Sequence, residues 1–319
     1  YQISTNKESA VTIKLSTLTD TQGVTNNELY HLTIRPNEVA IAGSTAHGVF
    51  NGCQTLLALL KGKATPYTLE QMEIVDYPDL AYRGMMLDIS RNFTSVDNLK
   101  SLLDVLATYK INKLHLHPCD DEGWRIEIPG LEELTSVGSK RGHTLDESTH
   151  LVPCYDGNFD PQAATSGNGF YTREEFIDLL KYAKTRHIEI ITEIDSPGHA
   201  RAAIKAMNAR YHNYIDTDQE KAEEFLLCDF EDKSEYKSAQ WYTDNVMNVA
   251  LPSTYRFLDK VFGELSKMYQ EADASLESIH IGGDEVPRGA WLKSPQCLAL
   301  MEQTGMTTTK DLQEYYFVK

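Results

Sequence analysis

Apolar and polar residues follow two patterns along the chain, and the pattern changes near residue 78. After this point, short apolar runs predict strands at 83–90, 111–121, 188–195 and 278–286, the first of them buried. Between the runs, apolar residues recur every three or four positions, which predicts helices. One such helix carries Leu99, Leu102, Leu103 and Leu106, and another carries Phe176, Leu179, Leu180 and Ala183 on one face. Strands that alternate with helices in this way predict an α/β fold with a parallel sheet.

The first 78 residues have a pattern of their own, which predicts a small α/β domain. The predicted elements are a strand at 11–15, a hairpin at 29–43 that turns at Pro36-Asn37, and a helix at 47–62. A proline and a change of rhythm follow at 75–84. We therefore predict two domains, which cover residues 1–78 and 79–319.

Two fold types contain such a parallel sheet, the (β/α)8 barrel and the doubly wound sheet. The phosphate-binding motifs GxGxxG and GxxxxGK[ST] follow none of the predicted strands. Each strand instead ends in charged residues, and barrel active sites lie at the carboxyl ends of the strands. We therefore predict that residues 79–319 form the first part of a (β/α)8 TIM barrel. The strand-end residues are Asp88 and Arg91, Asp120 and Asp121, Asp195 and His199, and Asp284 and Glu285.

The composition excludes several classes of partner. The chain has 319 residues, of which 41% are hydrophobic, and a net charge of −17. Such a surface repels nucleic acid and anionic membranes, so we expect neither as a partner. No apolar run approaches the ~18 residues of a membrane span. The five cysteines have no CxxC spacing, and we predict no metal site and no cofactor.

The adjacent acids Asp284 and Glu285 are the first candidates for catalysis. Neighbouring side chains of a strand point to opposite faces, so both acids reach one pocket only if the strand ends there. Gly282 and Gly283 permit such a bend, and Pro287 soon follows. Two carboxyl groups in one site separate their pKa values, as glycoside cleavage requires. The alternative is an exposed acidic pair in a turn.

Four motifs occur in order on the four predicted strands: YRGMMLDISRNF, NKLHLHPCDDEGWRIEIPGL, EIDSPGHARAA and HIGGDEV. Together they resemble the β-N-acetylhexosaminidases of glycoside hydrolase family 20, and DDEGWRIEIPGLEELTSVGSKRGH resembles the bacterial chitobiase branch. The resemblance runs from about residue 29 to the end. It implies removal of terminal N-acetylglucosamine or N-acetylgalactosamine from chitooligosaccharides or glycans. The substrate's own acetamido oxygen would attack, giving an oxazolinium intermediate and retained configuration.

The resemblance also implies roles for five residues. Asp284 matches the acid that orients the acetamido group, and Glu285 matches the general acid and base. Arg91 matches the arginine that holds the O3 and O4 hydroxyls of the sugar. Asp120 and His199 match the partners that hold the catalytic glutamate. From the residues alone, simpler roles stay open: Arg91 neutralises a neighbouring acid, and Asp120 and His199 cap a turn or a helix.

The barrel of this family contains four further strands, whereas only two helical stretches follow Glu285 here. We therefore expect a truncated or processed fragment, which a missing segment or another chain completes. The start at Tyr1 rather than Met fits this expectation. Because chitin fragments and glycans are met outside the cytoplasm, we expect a periplasmic, cell-surface or secreted enzyme.

Two competing functions remain open. His115 and His117, with Asp120 and Asp121, are residue types that bind Zn²⁺ in metal-dependent barrel hydrolases. This HxH lies on the second strand, however, whereas the amidohydrolase-like barrels carry theirs on the first. The other alternative is a catalytically silent carbohydrate-binding relative, which the intact pair of acids disfavours.

Overall fold

A computed structural model describes residues 12–18, 23–63, 68–155 and 159–319. The first residue of the strand predicted at 11–15 lies outside these ranges. The chain divides into two compact units. The first unit contains Tyr1–Gly84, Ser101–Lys113 and Thr185–Ile188, and the second contains Met85–Lys100, Leu114–Lys184 and Glu189–Lys319. The domain boundary near residue 78 stays a prediction.

The first unit contains a four-stranded sheet with one helix packed on it, and also most of helix α2 (Val96–Thr108). The sheet and its helix consist of β1 (Thr12–Thr17), β2 (Tyr30–Arg35), β3 (Glu38–Gly43), α1 (Ala46–Leu60) and β4 (Met72–Asp76). The sheet order is β1-β3-β2-β4, with β1 parallel to β3. Strands β2 and β3 form the predicted antiparallel hairpin, and Asn37 in its two-residue turn has a φ of 65°.

Helix α1 packs closely on this sheet because two of its glycines face the strands. A Cβ atom on Gly48 would lie 2.3 Å from the carbonyl oxygen of Leu29, and one on Gly52 would lie 2.5 Å from Ile41 Cγ2. Any larger side chain would push the helix away and open the core. The buried core consists of Tyr30, Leu32, Ile34, Val39, Ile41 and Leu56.

The remaining elements include the strands that carry or precede three of the four motifs. They are β5 (Gly84–Asp88), β6 (Lys113–His117), β7 (Cys119–Asp120), β8 (Gly123–Trp124), α3 (Glu133–Ser136), α4 (Arg173–Lys184), β9 (Glu189–Thr192), α5 (Arg201–Tyr214), α6 (Gln219–Glu223), α7 (Pro252–Glu271), α8 (Pro295–Thr304) and α9 (Thr309–Val318). Strands β5, β6 and β9 form one sheet in that order, and β7 pairs with β8. Within the described ranges, no helix combines the length and the apolar character that crossing a bilayer requires.

Helices α4 and α7 pack against each other, and α4 also packs against β9. Tyr269 of α7 donates its hydroxyl to the carbonyl oxygen of Ile190 at 2.8 Å, and the same hydroxyl lies 2.8 Å from Thr192 Oγ1. These bonds fix α7 on β9, the strand that leads into the EIDSPGH motif. The predicted apolar face of α4 is buried, as Phe176, Leu179, Leu180 and Ala183 show.

The prediction of a buried strand at 83–90 is wrong for part of its length. Met85 and Met86 of β5 are 39% and 48% exposed. Strand β5 lies at the edge of its sheet, where no described residue forms a further strand beside it. An apolar run therefore predicted the strand correctly but not its burial, which depends on a neighbour.

The run at 278–286 forms less of a strand than its sequence predicts. The only residue of this run that bridges to the sheet is His280, which pairs in parallel with Glu193. Gly282 and Gly283 have φ values of 66° and 104°, which end the extended conformation. The bend expected before the two acids is thus confirmed, and it shortens the strand.

Candidate active site

The carboxyl ends of β5, β6 and β9 and the segment at His280 lie side by side. The Ile89 N–H after β5 donates to the carbonyl oxygen of His117 at 3.0 Å. The Glu193 N–H after β9 donates to the carbonyl oxygen of Leu116 at 2.9 Å, and Glu193 also bridges to His280. Side chains that follow these ends therefore meet at one edge, as their positions in the sequence predict.

These side chains line an open cavity of about 590 Å³. Such a volume lies within the range of small-molecule sites, roughly 300 to 1,000 Å³. The five residues implied by the resemblance all line it: Arg91, Asp120, His199, Asp284 and Glu285. The structure thus brings together residues from four separate segments of the chain.

Asp120 is the central acid of the site. Its buried carboxylate lies 2.7 Å from Arg91 Nη1 and 2.7 Å from His117 Nε2 through Oδ2. Its other oxygen, Oδ1, lies 3.1 Å from His199 Nδ1 and accepts the Asp121 N–H at 2.6 Å. Burial alone would raise the pKa of Asp120, but the bonds with the two histidines outweigh it and lower the pKa to about 2. Asp120 is therefore ionised at neutral pH.

Arg91 is held by three carboxylates. Besides Asp120, its guanidinium lies 2.9 Å from Asp88 Oδ2 and 2.9 Å from Glu122 Oε2. Burial alone would lower the pKa of Arg91, but the charges of Asp120, Glu122 and Asp88 raise it. The sequence alone left open that Arg91 only neutralises a neighbouring acid. The ion pair with Asp88 is instead one of three that Arg91 forms. The three acids fix the orientation of the guanidinium at the cavity wall.

His199 stands between two acids. Its Nδ1 faces Asp120, and its Nε2 lies 3.4 Å from Glu285 Oε2. Burial alone would lower the pKa of His199, but the bonds with Asp120 and Asp121 raise it to about 11. His199 does not cap helix α5, because Asp121 accepts the Arg201 N–H there at 3.2 Å. The imidazole is therefore a cation that joins a buried acid to an exposed one.

The backbone bend at Gly282-Gly283 brings the two adjacent acids to the cavity. A Cβ atom on Gly282 would lie 1.7 Å from Asp195 Oδ1, and the Gly283 N–H donates to the same oxygen at 3.1 Å. Asp284 and Glu285 follow directly, and Glu285 has a left-handed φ of 48°. Both acids border the same cavity, whereas an extended strand would direct them to opposite faces.

Glu193 is a site residue that sequence reasoning missed. Its buried carboxylate lies 2.6 Å from His117 Nδ1, 2.7 Å from His115 Nε2 and 2.8 Å from His280 Nδ1. Three histidines thus surround one acid. The signal in the sequence was the HxH spacing, which places His115 and His117 on one face of β6, but the spacing did not identify the partner.

Two further acids have pKa values close to neutrality. Burial raises the pKa of Asp195 to about 7, because the Gly283 N–H and the charge of His199 offset it only in part. Burial and the charge of Asp120 raise the pKa of Glu122 to about 7, although Arg91 opposes the shift. Both acids therefore change charge near neutral pH.

Three sets of side chains have ligand atoms within 4.8 Å of one another, a spacing that could hold an ion. They are His115, Glu193 and His280; His117, Glu193 and Asp195; and Asp120, Asp195 and His199. The zinc set considered from the sequence is different, since it combined both histidines with Asp120 and Asp121. Asp121 instead accepts from Asn245 Nδ2 at 3.0 Å, and His115 contacts Glu193. Hydrogen bonds between imidazoles and carboxylates account for the pairs His115–Glu193, His117–Glu193 and His199–Asp120 within these sets.

Two protein-family models match the chain. Glycosyl hydrolase family 20, catalytic domain, matches residues 80–319, and glycosyl hydrolase family 20, domain 2, matches residues 1–77. Among curated proteins, a β-hexosaminidase of Vibrio vulnificus is 40% identical over 291 residues, which are 90% of this chain and 34% of the relative. An N,N'-diacetylchitobiase of Vibrio harveyi is 41% identical over 258 residues, 80% of this chain and 29% of the relative.

A solved structure is also similar to this chain. It is a GH20 exo-β-N-acetylglucosaminidase from Vibrio harveyi in complex with N-acetylglucosamine, with a TM-score of 0.78 and 39% identity. The match covers 96% of this chain and 43% of that structure. The chain spans about a third of the length of the curated Vibrio relatives described above. Because the catalytic-domain model matches well over half of its residues, the chain belongs to glycosyl hydrolase family 20.

Proposed function

We propose that the protein is a β-N-acetylhexosaminidase of the chitobiase type. It removes terminal N-acetylglucosamine or N-acetylgalactosamine from the non-reducing end of chitooligosaccharides or glycans. The observation that carries this proposal is the row Asp120–His199–Glu285, which lines one cavity together with Asp284 and Arg91. The names of the similar Vibrio proteins, β-hexosaminidase and N,N'-diacetylchitobiase, support the same substrate class.

Glu285 is the proposed general acid, and then the base that activates water. Its side chain is 47% exposed, so the oxygen of a leaving sugar can reach it. His199 Nε2 and Gln240 Nε2 lie 3.4 and 3.3 Å from the same oxygen, Oε2. These contacts hold one carboxyl oxygen and leave the other for the substrate. Asp120 fixes the imidazole and thereby the direction of the acid.

Asp284 and Arg91 are the proposed contacts to the sugar. The acetamido oxygen of the substrate attacks the anomeric carbon, so no protein nucleophile is needed. Asp284 orients the acetamido N–H and stabilises the positive charge that develops on the oxazolinium ring. Arg91 donates to the O3 and O4 hydroxyls from a guanidinium whose orientation Asp88, Asp120 and Glu122 have already set.

We also propose that β5, β6, β9 and the His280 segment belong to a (β/α)8 barrel with further strands. Met85 and Met86 on the edge strand are partly exposed, and Ile281 is 41% exposed. Uncovered apolar edges promote aggregation, so further strands would cover them in a stable protein.

The proposed substrates also favour a periplasmic, cell-surface or secreted location, which fractionation of cells followed by immunoblotting would test.

Hydrolysis of two substrates by the purified full-length protein tests the proposed activity. Wild-type protein should release nitrophenol from nitrophenyl N-acetyl-β-glucosaminide and cleave chitobiose. Glu285→Gln should lower kcat on the order of 100-fold or more, and most strongly with chitobiose, because a sugar leaving group needs a proton more than nitrophenol does. Glu302→Gln, at an exposed position in α8, is the matched control.

A thiazoline mimic of the oxazolinium intermediate should inhibit the wild-type protein. Unchanged hydrolysis in Glu285→Gln would remove the assignment of the general acid. A wild-type protein that binds N-acetylglucosamine but cleaves neither substrate would favour the silent binding relative. Hydrolysis that a chelator abolishes would favour the metal-dependent alternative.

A further inference from the structure

A second row of acids and imidazoles lies behind Asp120. His117 Nε2 lies 2.7 Å from Asp120 Oδ2, and His117 Nδ1 lies 2.6 Å from Glu193 Oε2. Both ring nitrogens of His117 therefore face a carboxylate. With the contacts of His199, the row runs Glu193–His117–Asp120–His199–Glu285 along the wall of the cavity.

We propose that His117, held in place by Glu193, is a positioning residue that fixes Asp120 and through it both the proposed general acid and the sugar-binding Arg91. This inference rests on the proposed function. His117 also lines the cavity, but in this scheme it acts through Asp120 and is therefore not a catalytic residue.

Glu193 is well placed to hold His117 rigidly. Its side chain is anchored by His115 and His280 as well as His117. Its backbone N–H is bonded to the carbonyl oxygen of Leu116, on the strand that carries His117. The acid is thus fixed from β6 on one side and from the His280 segment on the other, and His117 has little freedom to turn.

Asp120 needs the donor that His117 supplies. Its buried carboxylate has four contacts, two on each oxygen, and His117 and Arg91 share Oδ2. Without His117, one side of Oδ2 would lose its donor in a buried environment, which costs free energy and lets the carboxylate rotate. Rotation would disturb the contacts with His199 and Arg91 together, because all three bonds depend on one rigid group.

The charges around His117 favour a cation between two anions. Burial alone would lower the pKa of His117, but the bonds with Asp120 and Glu193 raise it to about 10. Conversely, burial would raise the pKa of Glu193, and the bond and charge of His117 lower it. The titratable and charged groups that surround this row are Arg91, His115, Asp121, Glu122, Asp195 and His280.

Two substitutions of His117 separate its two contacts. In His117→Gln, the amide nitrogen takes the place of Nε2 and can still donate to Asp120. In His117→Asn, the amide nitrogen takes the place of Nδ1 and can donate only toward Glu193. If the imidazole of His117 only filled space, both variants would lose the same activity. A difference in activity between the two variants therefore isolates the bond to Asp120.

We expect His117→Asn to lower kcat by on the order of tenfold to a hundredfold, the effect of one lost bond to a charged group. The acid limb of its kcat/KM profile should move to higher pH, because Asp120 loses a donor that keeps it ionised. His117→Gln should retain more activity and a profile nearer to wild type. Glu193→Gln should lower kcat, whereas Glu189→Gln, about 13 Å away at the other end of β9, should not.

Histidine-ring NMR of the same variants gives a readout that does not need hydrolysis. In the wild type, the imidazole of His199 should stay protonated to at least pH 9, in line with its pKa of about 11. In His117→Asn, the displaced Asp120 should support this cation less, and His199 should begin to titrate at lower pH. His117→Gln should leave the titration of His199 nearer to wild type.

The two proposals can fail separately. If the wild type shows no hydrolysis, the proposed function is wrong, while the NMR titration of His199 still decides whether His117 fixes Asp120. If the wild type is active and the Asn and Gln variants have the same pH profile and the same His199 titration, the positioning role of His117 is wrong.

Discussion

At the scale of single residues, the site depends on contacts between residues that are far apart in the sequence. Asp120 and His199 are separated by 79 positions, and His117 and Glu193 by 76. The resemblance of the motifs identified Asp120 and His199 as candidates. The spacing of residues along the sequence, however, could not show which side chains these two contact. Glu193 was missed because alternation along a strand shows which face a side chain takes, not which charge it meets there.

Asp195 gives the folded protein a distinctive dependence on pH. Its pKa is raised from 3.8 to about 7 by burial. The unfolded chain releases this proton near pH 4 and the folded chain near pH 7. The contribution of Asp195 to stability is therefore fully present below about pH 4, and it is lost as the pH rises through 7.

Asp195→Asn should accordingly stabilise the protein at alkaline pH. Asparagine stays neutral and can still accept the Gly283 N–H, so the free energy of unfolding at pH 8 should rise on the order of 1 to 2 kcal/mol. At pH 4 the variant and the wild type should differ little. Urea unfolding of the wild type and the variant at pH 4, 6 and 8 measures the free energy of unfolding of each protein. A difference between the two proteins that does not change with pH would contradict the raised pKa of Asp195.

At the scale of elements, hydrophobic periodicity predicts which helices and strands form and which of their faces are apolar. It predicted helix α4 and the β2–β3 hairpin, because an apolar face and a Pro-Asn turn are local properties of the chain. It did not predict the exposure of Met86 or the single bridge at His280. Those outcomes depend on the strands that lie alongside and on the backbone angles of two glycines.

Gly282→Ala should break the element that presents the two acids. Its φ of 66° is unfavourable for alanine, and the added Cβ would lie 1.7 Å from Asp195 Oδ1. We expect the free energy of unfolding to fall by at least about 1 kcal/mol and hydrolysis to decrease, because the segment with Asp284 must move.

The control for this substitution lies in helix α7. A Cβ atom on Gly263 would meet no atom within 4 Å, so Gly263→Ala should raise the free energy of unfolding by about 0.5 to 1 kcal/mol. Thermal unfolding and nitrophenyl hydrolysis of the two variants measure these effects. Gly282→Ala with wild-type stability and activity would mean that the bend does not position the acids.

At the scale of the whole molecule, the net charge of −17 acts on every ligand that approaches the cavity. The cavity is lined by the acids Asp120, Glu193, Asp284 and Glu285 and by the cations Arg91, His117 and His199, each of which is paired with an acid, so the negative field comes mainly from the rest of the surface. Fields of this kind attract cations and are screened over about 10 Å at 0.1 M salt. A neutral amino sugar should not respond to them, but a sugar with a free amino group should.

Two disaccharides distinguish these cases, each with N-acetylglucosamine at the non-reducing end. One carries N-acetylglucosamine at the other end and is neutral, whereas the other carries glucosamine and is cationic. Between 20 and 500 mM salt, kcat/KM for the neutral sugar should stay constant within about twofold, and kcat/KM for the cationic sugar should fall several-fold. The ratio of the two values cancels any effect of salt on stability. A ratio that does not change with salt would mean that the acidic surface does not act on the substrate, and that its charge serves solubility alone.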